Sequence, residues 1–425
     1  MSETSKAPRR GRHTVARHGA LKSPHPLGQL AKILAICLSV VLVSGLGVAT
    51  YLTYDFAATF SADAEELEGQ TAPPPTVGEI EGPRTLFLAG TDACEPEYAE
   101  YFGDRCTGPD AENELNDVNM LVHIADDPRR VTVVSFPRDL MMPIPSCTAE
   151  DGTTTAPVSK EALNTTFKTG GLSCAAKAVS DLSGQNIDYA ASVTWGGVIE
   201  ITNAIGGVDV CLASGIKDPN TGLNLDAGTH NIAGLQALQF LRTRYGVGDG
   251  SDLGRISNQQ QYMSRLARKL VSEEVLSNPG TLLKLARTSI ENINPSTSLT
   301  NPLTLVQLGL ALKNVPFEDI VFIQYPVMDD PSNANHVVPN HDAADQLWAA
   351  LAANQPLQLT GEASTNGGVV VTEPTAPAVE PTEPATQPTE GATEAPAPTE
   401  TAVALPPEIT GSTAAQETCS NGNQR

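Results

Sequence analysis

The sequence predicts an α/β sandwich with a central sheet, preceded by one transmembrane helix. Between residues 84 and 360, short aliphatic runs alternate with amphipathic stretches, as expected for a sheet covered by helices. Residues 33–54 contain no charged side chain, which is typical of a membrane span. The 425-residue chain has 26 Lys+Arg against 49 Asp+Glu, and this acidic balance excludes a general nucleic-acid binder.

Predicted strands and helices alternate along the domain. Runs rich in Val, Ile, Leu and Phe predict strands at 85–90, 119–125, 131–136, 187–195, 208–212 and 319–327. Periodic apolar residues predict helices at 174–182, 198–205, 234–244, 255–274, 279–293 and 341–354. Asp252 precedes one of these helices and is its predicted N-cap.

The uncharged stretch predicts a single-pass protein of the cell membrane. A helix of this length crosses a bilayer core of about 30 Å. Seven basic residues lie in the first 32 positions and acidic residues follow the stretch, so the N-terminus is expected in the cytoplasm and the domain outside. The alternative is a signal peptide cleaved near the SADA at 61–64, although such apolar regions are usually only about 7–15 residues long. The predicted organisation is a basic tail, a signal-anchor helix, a linker, an extracellular domain and a disordered tail, at 1–32, 33–54, 55–83, 84–360 and 361–425.

Residues 364–410 are rich in Pro, Thr and Glu. Such a segment cannot bury enough apolar surface to offset the entropy lost on ordering, so the sequence predicts an extended, disordered tether. Two interpretations stay open, a passive tail and a spacer through a cell wall.

Six of the seven cysteines follow the predicted span, an even number suited to disulfides in an oxidising compartment. No CxxC or HExxH spacing supports a zinc site. Cys94 and Cys106 close a short loop and are the preferred pair. The second choice is Cys147 with Cys174, and this pairing leaves Cys211 and Cys419.

Charged residues lie at predicted strand ends and helix starts, where α/β folds place functional loops. Asp92 follows the strand 85–90, Asp117 precedes the strand 119–125, and Arg138 follows the strand 131–136. The remaining candidates flank two helices and are Arg242, Arg244, Asp252, Arg255 and Gln259.

These residue types predict an anionic phosphate ligand with a divalent cation. Paired carboxylates hold Mg²⁺, and guanidinium groups match phosphate oxygens in a bidentate way. The competing interpretation is that each is an ordinary surface residue, since Asp in turns is common. The apolar stripe from Ile256 to Leu270 indicates core rather than a lipid site. No Walker loop, Rossmann glycine fingerprint or GxSxG elbow is present.

The motifs around these residues resemble the LytR-CpsA-Psr (LCP) family, in its actinobacterial form. The resemblance is strong over residues 84–275 and continues to about 350. It is carried by the stretches LFLAGTD, NDVNMLVHI, VTVVSFPRDLMMPIPSC, IDYAASVTWGGVIEITNAIGGVDVCL and DAGTHNIAGLQALQFLRTRYGVGDGSDLGRISNQQQYMSRL.

The resemblance implies an α/β/α sandwich with a central mixed sheet and a hydrophobic groove for a polyprenyl chain. It implies an enzyme, a phosphotransferase that moves a glycopolymer from a polyprenyl-pyrophosphate carrier to peptidoglycan, at the 6-hydroxyl of N-acetylmuramic acid. Asp92 and Asp117 would hold Mg²⁺, and Asp252 and Arg255 would lie beside the reacting phosphate. The pyrophosphate would be bound by Arg138, Arg242, Arg244 and Gln259.

One family position is missing. Leu115 stands where the family has a phosphate-binding Arg before Asp117. Two interpretations of Arg105, at the end of the Cys94–Cys106 loop, stay open: it replaces the missing guanidinium group, or it is solvated on a surface insert and the site works with fewer donors. Two alternative functions stay open. One is a non-catalytic wall protein that binds the polyprenyl lipid, and the other is a pyrophosphatase in which water replaces the sugar hydroxyl.

Overall fold

The computed structural model describes residues 57–62, 64–74, 80–109, 111–149, 151–272, 275, 278–364, 366–372 and 402–423, with scattered positions between 39 and 55. The chain divides into two units, Met1–Asp55 and Phe56–Arg425, and the account below concerns the second. Among the described residues, no helix is long and apolar enough to cross a membrane. The predicted cytoplasmic tail and membrane helix fall largely outside the described residues.

A seven-stranded mixed sheet forms the centre of the domain, in the order β11-β6-β1-β2-β3-β12-β18. β1 runs parallel to β6 and antiparallel to β2, and β3 runs parallel to β12. The predicted α/β fold with a central mixed sheet is therefore confirmed. In chain order its strands are β1 (Arg84–Thr91), β2 (Asn116–Ile124), β3 (Val131–Phe136), β6 (Tyr189–Thr194), β11 (Ile293–Pro295), β12 (Ile320–Gln324) and β18 (Gly411–Thr413).

The described helices begin at residues suited to helix starts. Asn278-Pro279 and Asn301-Pro302 open two of them, each with the Asn side chain accepting backbone N–H groups. The helices are α1 (Asp104–Thr107), α2 (Thr166–Ser183), α3 (Trp195–Ala204), α4 (Gly234–Arg242), α5 (Asp252–Leu270), α6 (Pro279–Asn292), α7 (Pro302–Lys313) and α8 (His341–Ala352).

Side chains of the central strands alternate between two apolar layers. Phe87 and Ala89 of β1 pack with α2 and α8 on one face. Leu86 and Leu88 pack on the other face, in a cluster with residues of α6 and α7. Helices therefore cover both faces of the sheet, as the predicted sandwich requires.

A smaller four-stranded sheet, in the order β10-β7-β19-β16, supports α5 from the side. The shorter strands complete the domain as hairpins and edge pairs. They are β4 (Met141–Ile144), β5 (Val158–Ala162), β7 (Val208–Leu212), β8 (Ile216–Asp218), β9 (Leu223–Leu225), β10 (Gly228–Ile232), β13 (Val327–Asp329), β14 (Val337–Pro339), β15 (Leu357–Gln358), β16 (Val369–Val371), β17 (Val403–Ala404) and β19 (Thr418–Ser420).

The prediction that residues 361–425 are a disordered tail is wrong for 366–372 and 402–423. These residues add strands to both sheets, and Leu405 and Ile409 are buried in the core. Cys419 is bonded to Cys211 of β7, which fixes this segment to the domain. The prediction from composition failed because the strands of this segment pair with strands that are far away in the chain. Residues 373–401, which hold most of the Pro/Thr/Glu repeats, lie outside the described residues.

All three predicted cysteine pairs are confirmed, as Cys94–Cys106, Cys147–Cys174 and Cys211–Cys419. The predicted N-cap is wrong by one residue. Ser251 caps α5 by accepting the Gly254 N–H, and Asp252 is the first helical residue, with its carboxylate turned to other partners.

Candidate functional site

The site is built where β1 ends and β2 begins. Gly90 lies opposite Val118, and the Asp92 N–H donates to the Leu115 carbonyl at 3.1 Å. This register brings Asp92 and Asp117 to the same end of two adjacent strands, as predicted. The turn after β3 adds Arg138, and α5 adds Asp252 and Arg255.

Two carboxylates and two guanidinium groups form one network, which we call the Asp117 cluster. It consists of Asp117, Arg138, Asp252 and Arg255. Arg138 Nη1 donates to Asp117 Oδ1 at 2.8 Å, and the Arg138 backbone N–H donates to Asp252 Oδ2 at 3.2 Å. Arg255 Nη2 lies 2.6 Å from Asp252 Oδ1 and donates to the Asp117 carbonyl at 2.8 Å. Each of the two arginines is thus held by groups from two different elements.

Burial and pairing have opposite effects on these charges. Burial alone would raise the pKa of Asp117, but the adjacent Arg255 and Arg138 lower it below the ordinary aspartate value. Burial would lower the pKa of Arg138, but Asp117, Asp252 and Asp139 raise it. Both groups are therefore charged at neutral pH. Asp139 differs, because burial and then the nearby Asp252 carboxylate raise its pKa.

Arg242 is held by aromatic rings. Its guanidinium carbon lies 3.7 Å from the centre of the Trp195 ring and 5.3 Å from that of Phe102. Within the described part of the chain, Arg242 has no hydrogen-bond or ion-pair partner. Burial lowers its pKa, partly offset by Asp117. A stacked guanidinium group with unused donors is suited to bind an anion.

The sequence analysis missed Trp195 and Phe102. Trp195 begins α3, and Phe102 lies in the loop closed by the Cys94–Cys106 disulfide. The available signal was that Trp195 is one of only two tryptophans in the chain. Asp218 was missed as well. It is buried and accepts from the Arg244 and Gly246 backbone N–H groups at 3.1 and 3.3 Å, which positions the turn that carries Arg244.

Asp92 is engaged elsewhere, in what we call the Asp92 pair. Arg105 Nε donates to Asp92 Oδ2 at 2.7 Å, and the Leu115 N–H donates to Oδ1 at 2.6 Å. Arg105 Nη2 also donates to the carbonyls of Asp92 and Asn113, at 3.1 and 2.7 Å. The proposed replacement for the missing family arginine is therefore turned onto Asp92.

Asp117 and Asp92 are not equally suited to bind a divalent cation. Asp117 lines two cavities, and a carboxylate there is the type of oxygen ligand that Mg²⁺ prefers. Both oxygens of Asp92 are occupied by donors, so it becomes a ligand only if Arg105 releases it. Among the described residues, no group of three or more His, Cys, Asp or Glu side chains is arranged to hold a metal ion.

An apolar cavity of about 160 Å³ lies beside the cluster, on the Leu88 face of the sheet. It is lined mostly by aliphatic and aromatic residues, together with four polar ones. The polar members are Asp117, Arg242, Arg255 and Gln259. Gln259 is oriented by donating Nε2 to the Leu241 carbonyl at 2.9 Å. Met263, from the stripe predicted to be core, lines this cavity and also packs against neighbouring apolar clusters.

A second, polar cavity of about 150 Å³ shares three of those residues, Asp117, Arg242 and Arg255, and adds Arg138 and Arg244. Arg244 donates Nε to the Gly250 carbonyl at 3.2 Å and lies 3.9 Å from Asp139. Four arginines therefore border one opening. Asp252 contacts Arg138 and Arg255 but lines neither cavity, so the structure gives it a positioning role instead of a place beside the ligand.

The arrangement suits an amphipathic ligand, with an apolar part in one cavity and an anionic head among arginines in the other.

Comparison with known proteins identifies relatives of this chain. The chain is 27% identical over 336 residues to the cell wall biosynthesis protein LcpA of Corynebacterium glutamicum, a match covering 74% of this chain and 62% of LcpA. The match thus spans less than two thirds of that relative.

A second relative is the polyisoprenyl-teichoic acid–peptidoglycan teichoic acid transferase TagU of Enterococcus faecalis, 25% identical, covering 58% of this chain and 74% of TagU. The crystal structure of protein gbs0355 from Streptococcus agalactiae shares the fold, with a TM-score of 0.51 and 21% identity over 64% of this chain and 87% of that one. The LytR_cpsA_psr family model matches residues 51–353, which is most of the chain. The chain therefore belongs to the LytR_cpsA_psr family.

Proposed function

We propose that the protein transfers a glycopolymer from a polyprenyl-pyrophosphate carrier to peptidoglycan, at the 6-hydroxyl of N-acetylmuramic acid. The observation that carries the proposal is the shared border of the two cavities. Asp117, Arg242 and Arg255 line both, so a lipid chain in the apolar cavity places its pyrophosphate among the arginines. The name of the TagU relative supports both the polyisoprenyl carrier and the peptidoglycan acceptor.

The arginines neutralise the negative charge on the phosphate oxygens during the reaction. The acceptor hydroxyl attacks the phosphorus that bears the glycan and gives up its proton to water, and polyprenyl phosphate leaves with the electron pair of the broken P–O bond. Arg242 and Arg255 are placed to neutralise the phosphate oxygens nearest the apolar cavity, and Arg138 and Arg244 those further out. Phosphoryl transfer depends mainly on such positioning and neutralisation. Asp252 and Asp117 keep Arg255 and Arg138 in place.

Magnesium is part of the proposal. Asp117 would hold the ion, joined by Asp92 once Arg105 withdraws. A bound Mg²⁺ would supply further neutralisation of the pyrophosphate.

The proposal includes the membrane topology. An uncleaved signal-anchor helix at 33–54 keeps the N-terminus in the cytoplasm and the domain on the outer side. The three disulfides, all within the second unit, suit that oxidising compartment.

The test uses the full chain in lipid nanodiscs with Mg²⁺ and a polyprenyl-pyrophosphate glycan, with and without peptidoglycan. Transfer predicts a glycan–peptidoglycan product only when the acceptor is present. Release of free glycan phosphate without acceptor would identify a pyrophosphatase. Binding without either product would identify a lipid-binding wall protein. Arg287→Lys, at an exposed guanidinium on α6, is the matched control and should behave as wild type.

A further inference from the structure

Helix α7 carries apolar residues on its solvent side as well as on its buried side. Its solvent side carries Leu303, Val306 and Leu310, which are 47%, 59% and 46% exposed. The buried side includes Thr304 and Gln307, at 1% and 5% exposure. The three apolar residues follow the i, i+3, i+7 spacing of one helix face, and we call them the α7 stripe.

An exposed apolar stripe is unfavourable in water unless another surface covers it. No charged residue occurs from 302 to 312, so the α7 stripe itself offers no charged group for pairing with a polar partner. The uncharged, aliphatic character suits lipid chains.

The inner side of α7 connects to the chain that leaves the predicted anchor. Leu308 and Ala311 share an apolar cluster with Phe60. Phe60 follows the end of the predicted membrane span, residue 54, by only six positions, and residues 57–60 are helical. At no more than about 3.6 Å per residue, these six residues span at most about 22 Å. An anchored chain thus keeps α7 close to the bilayer surface.

The apolar cavity lies on the same face of the sheet as α7. Leu88 of β1 packs against the cluster that contains Leu308, and it also lines the cavity. Because side chains alternate along a strand, Phe87 and Ala89 point to the opposite layer. The buried side of α7 and the apolar cavity therefore share Leu88 on one face of the sheet.

We propose that the α7 stripe rests in the outer leaflet of the membrane and holds the apolar cavity beside the lipid from which the carrier chain is taken. This inference rests on the membrane anchor in the proposed function. A tethered chain needs only a small additional contact, since the anchor already supplies a high local concentration. A stable protein partner would need an interface of roughly 1,000 Å² or more, far larger than three side chains provide.

The test measures the depth of a spin label in the full chain, reconstituted in vesicles of phosphatidylcholine and phosphatidylglycerol. The background carries Cys37→Ser, so that the label reacts only at Val306→Cys. A label in the leaflet is accessible to oxygen and protected from a polar nickel complex. The control is Met328→Cys, an apolar position of similar exposure, 52%, on a hairpin that packs with the opposite layer of the sheet.

The inference predicts lipid accessibility at Val306 and water accessibility at Met328. Equal water accessibility at both positions overturns it. Dipolar broadening between labels at Val306 would show a second copy on the stripe and would also overturn it. Failure of the chain to float with the vesicles overturns the anchor and the inference together.

A second measurement separates the stripe from the transfer chemistry. The triple variant Leu303→Gln, Val306→Gln, Leu310→Gln should reduce transfer from a long-chain carrier in vesicles about tenfold, through loss of roughly 1.4 kcal/mol of lipid contact. Transfer from a short, water-soluble carrier should be unchanged, as should both activities of Met328→Gln. Equal loss with both carriers contradicts the inference. If wild type transfers neither carrier while Val306 is lipid-accessible, the proposed function fails and the stripe stands.

Discussion

Asp117 and Asp92 occupy equivalent places on adjacent strands but have different surroundings. Each accepts from one guanidinium group at 2.7–2.8 Å. The Asp117 side chain is 15% exposed and borders two cavities, whereas the Asp92 side chain is 7% exposed and lines neither. Arg138, the partner of Asp117, is shared with Asp252 and Asp139. Arg105, the partner of Asp92, is bound instead to loop carbonyls near a disulfide.

The difference teaches that a carboxylate at a strand end does not identify a site by itself. Such a carboxylate belongs to a binding site when the arginine paired with it has further donors that face a cavity. The Asp117 cluster places guanidinium groups at an opening, so its charges are available to a ligand. The Asp92 pair neutralises its own charge and stabilises the loop that supplies Phe102 to the Arg242 stack.

The largest effect is expected for Asp117→Asn. Loss of the negative charge weakens the 2.8 Å contact with Arg138 and removes the best candidate Mg²⁺ ligand, so turnover should fall about 100-fold, the scale seen when one electrostatic contact at a reacting centre is lost. The measurement is single-turnover transfer, with the melting temperature recorded in parallel.

Asp92→Asn is the matched control for that comparison. It is the same substitution on the adjacent strand, and its loss of turnover should be at least about tenfold smaller. Equal losses in the two variants would show that Asp92 is a direct participant and that the comparison is wrong.

Arg242→Lys should have the next largest effect. Lysine keeps the charge but loses the flat stacking on Trp195 and the bidentate donors, so we expect about a tenfold fall in kcat/KM. Arg265→Lys, on the far part of α5 and paired with Glu417, is the control and should leave kcat/KM within about twofold. Wild-type kinetics for Arg242→Lys would remove the stack from the ligand site.

Arg105→Ala tests whether an internal cation occupies the place of the metal. Removing the guanidinium frees Asp92, so Mn²⁺ used as a probe for Mg²⁺ should bind about fivefold tighter, roughly 1 kcal/mol. Free Mn²⁺ is measured by electron paramagnetic resonance without substrate. Arg105→Lys, which keeps a positive charge, should show a smaller gain. Unchanged affinity in Arg105→Ala would mean that Asp92 is not a metal ligand.

The sequence predicted local structure well where the pattern is local. Strands β3 and β7 have the predicted bounds, because short aliphatic runs define them. Helix α7 was missed because its apolar residues surround the helix and leave no polar face to mark its period. Strands β18 and β19 were missed because they pair with residues far away in the sequence.

The site was predicted in composition but not in pairing. Arg138, Arg242, Arg244 and Arg255 line a cavity, since strand ends and helix starts converge in an α/β fold, but Arg105 does not. Which guanidinium group binds which carboxylate depends on the Cys94–Cys106 loop, whose path has no sequence pattern. The same applies to the tilted contact between the Trp195 and Phe102 rings, which forms between elements about 90 residues apart in the chain.

The smallest effect is expected at a third arginine–carboxylate contact, on the same helix but away from the cavities. Glu417 of the C-terminal segment lies 2.6 Å from Arg265 Nη2 and also pairs with Arg268. Its side chain is 38% exposed, so solvent screens the interaction and Glu417→Gln should cost only about 0.5 kcal/mol. Burial alone would raise the pKa of Glu417, but Arg268 and Arg265 lower it below the ordinary value. A lowered pKa contributes stability at neutral pH, and this contribution is lost as pH falls from about 4.3, the ordinary glutamate value, through the lowered pKa. Wild type should therefore melt about 1 °C above Glu417→Gln at pH 7. This difference in melting temperature should disappear in acid, and kcat/KM should be unaffected at neutral pH. A fall in kcat/KM comparable to that of Arg242→Lys would show that the C-terminal segment holds α5 in its active position, and the contrast between cavity-facing and closed pairs would then fail.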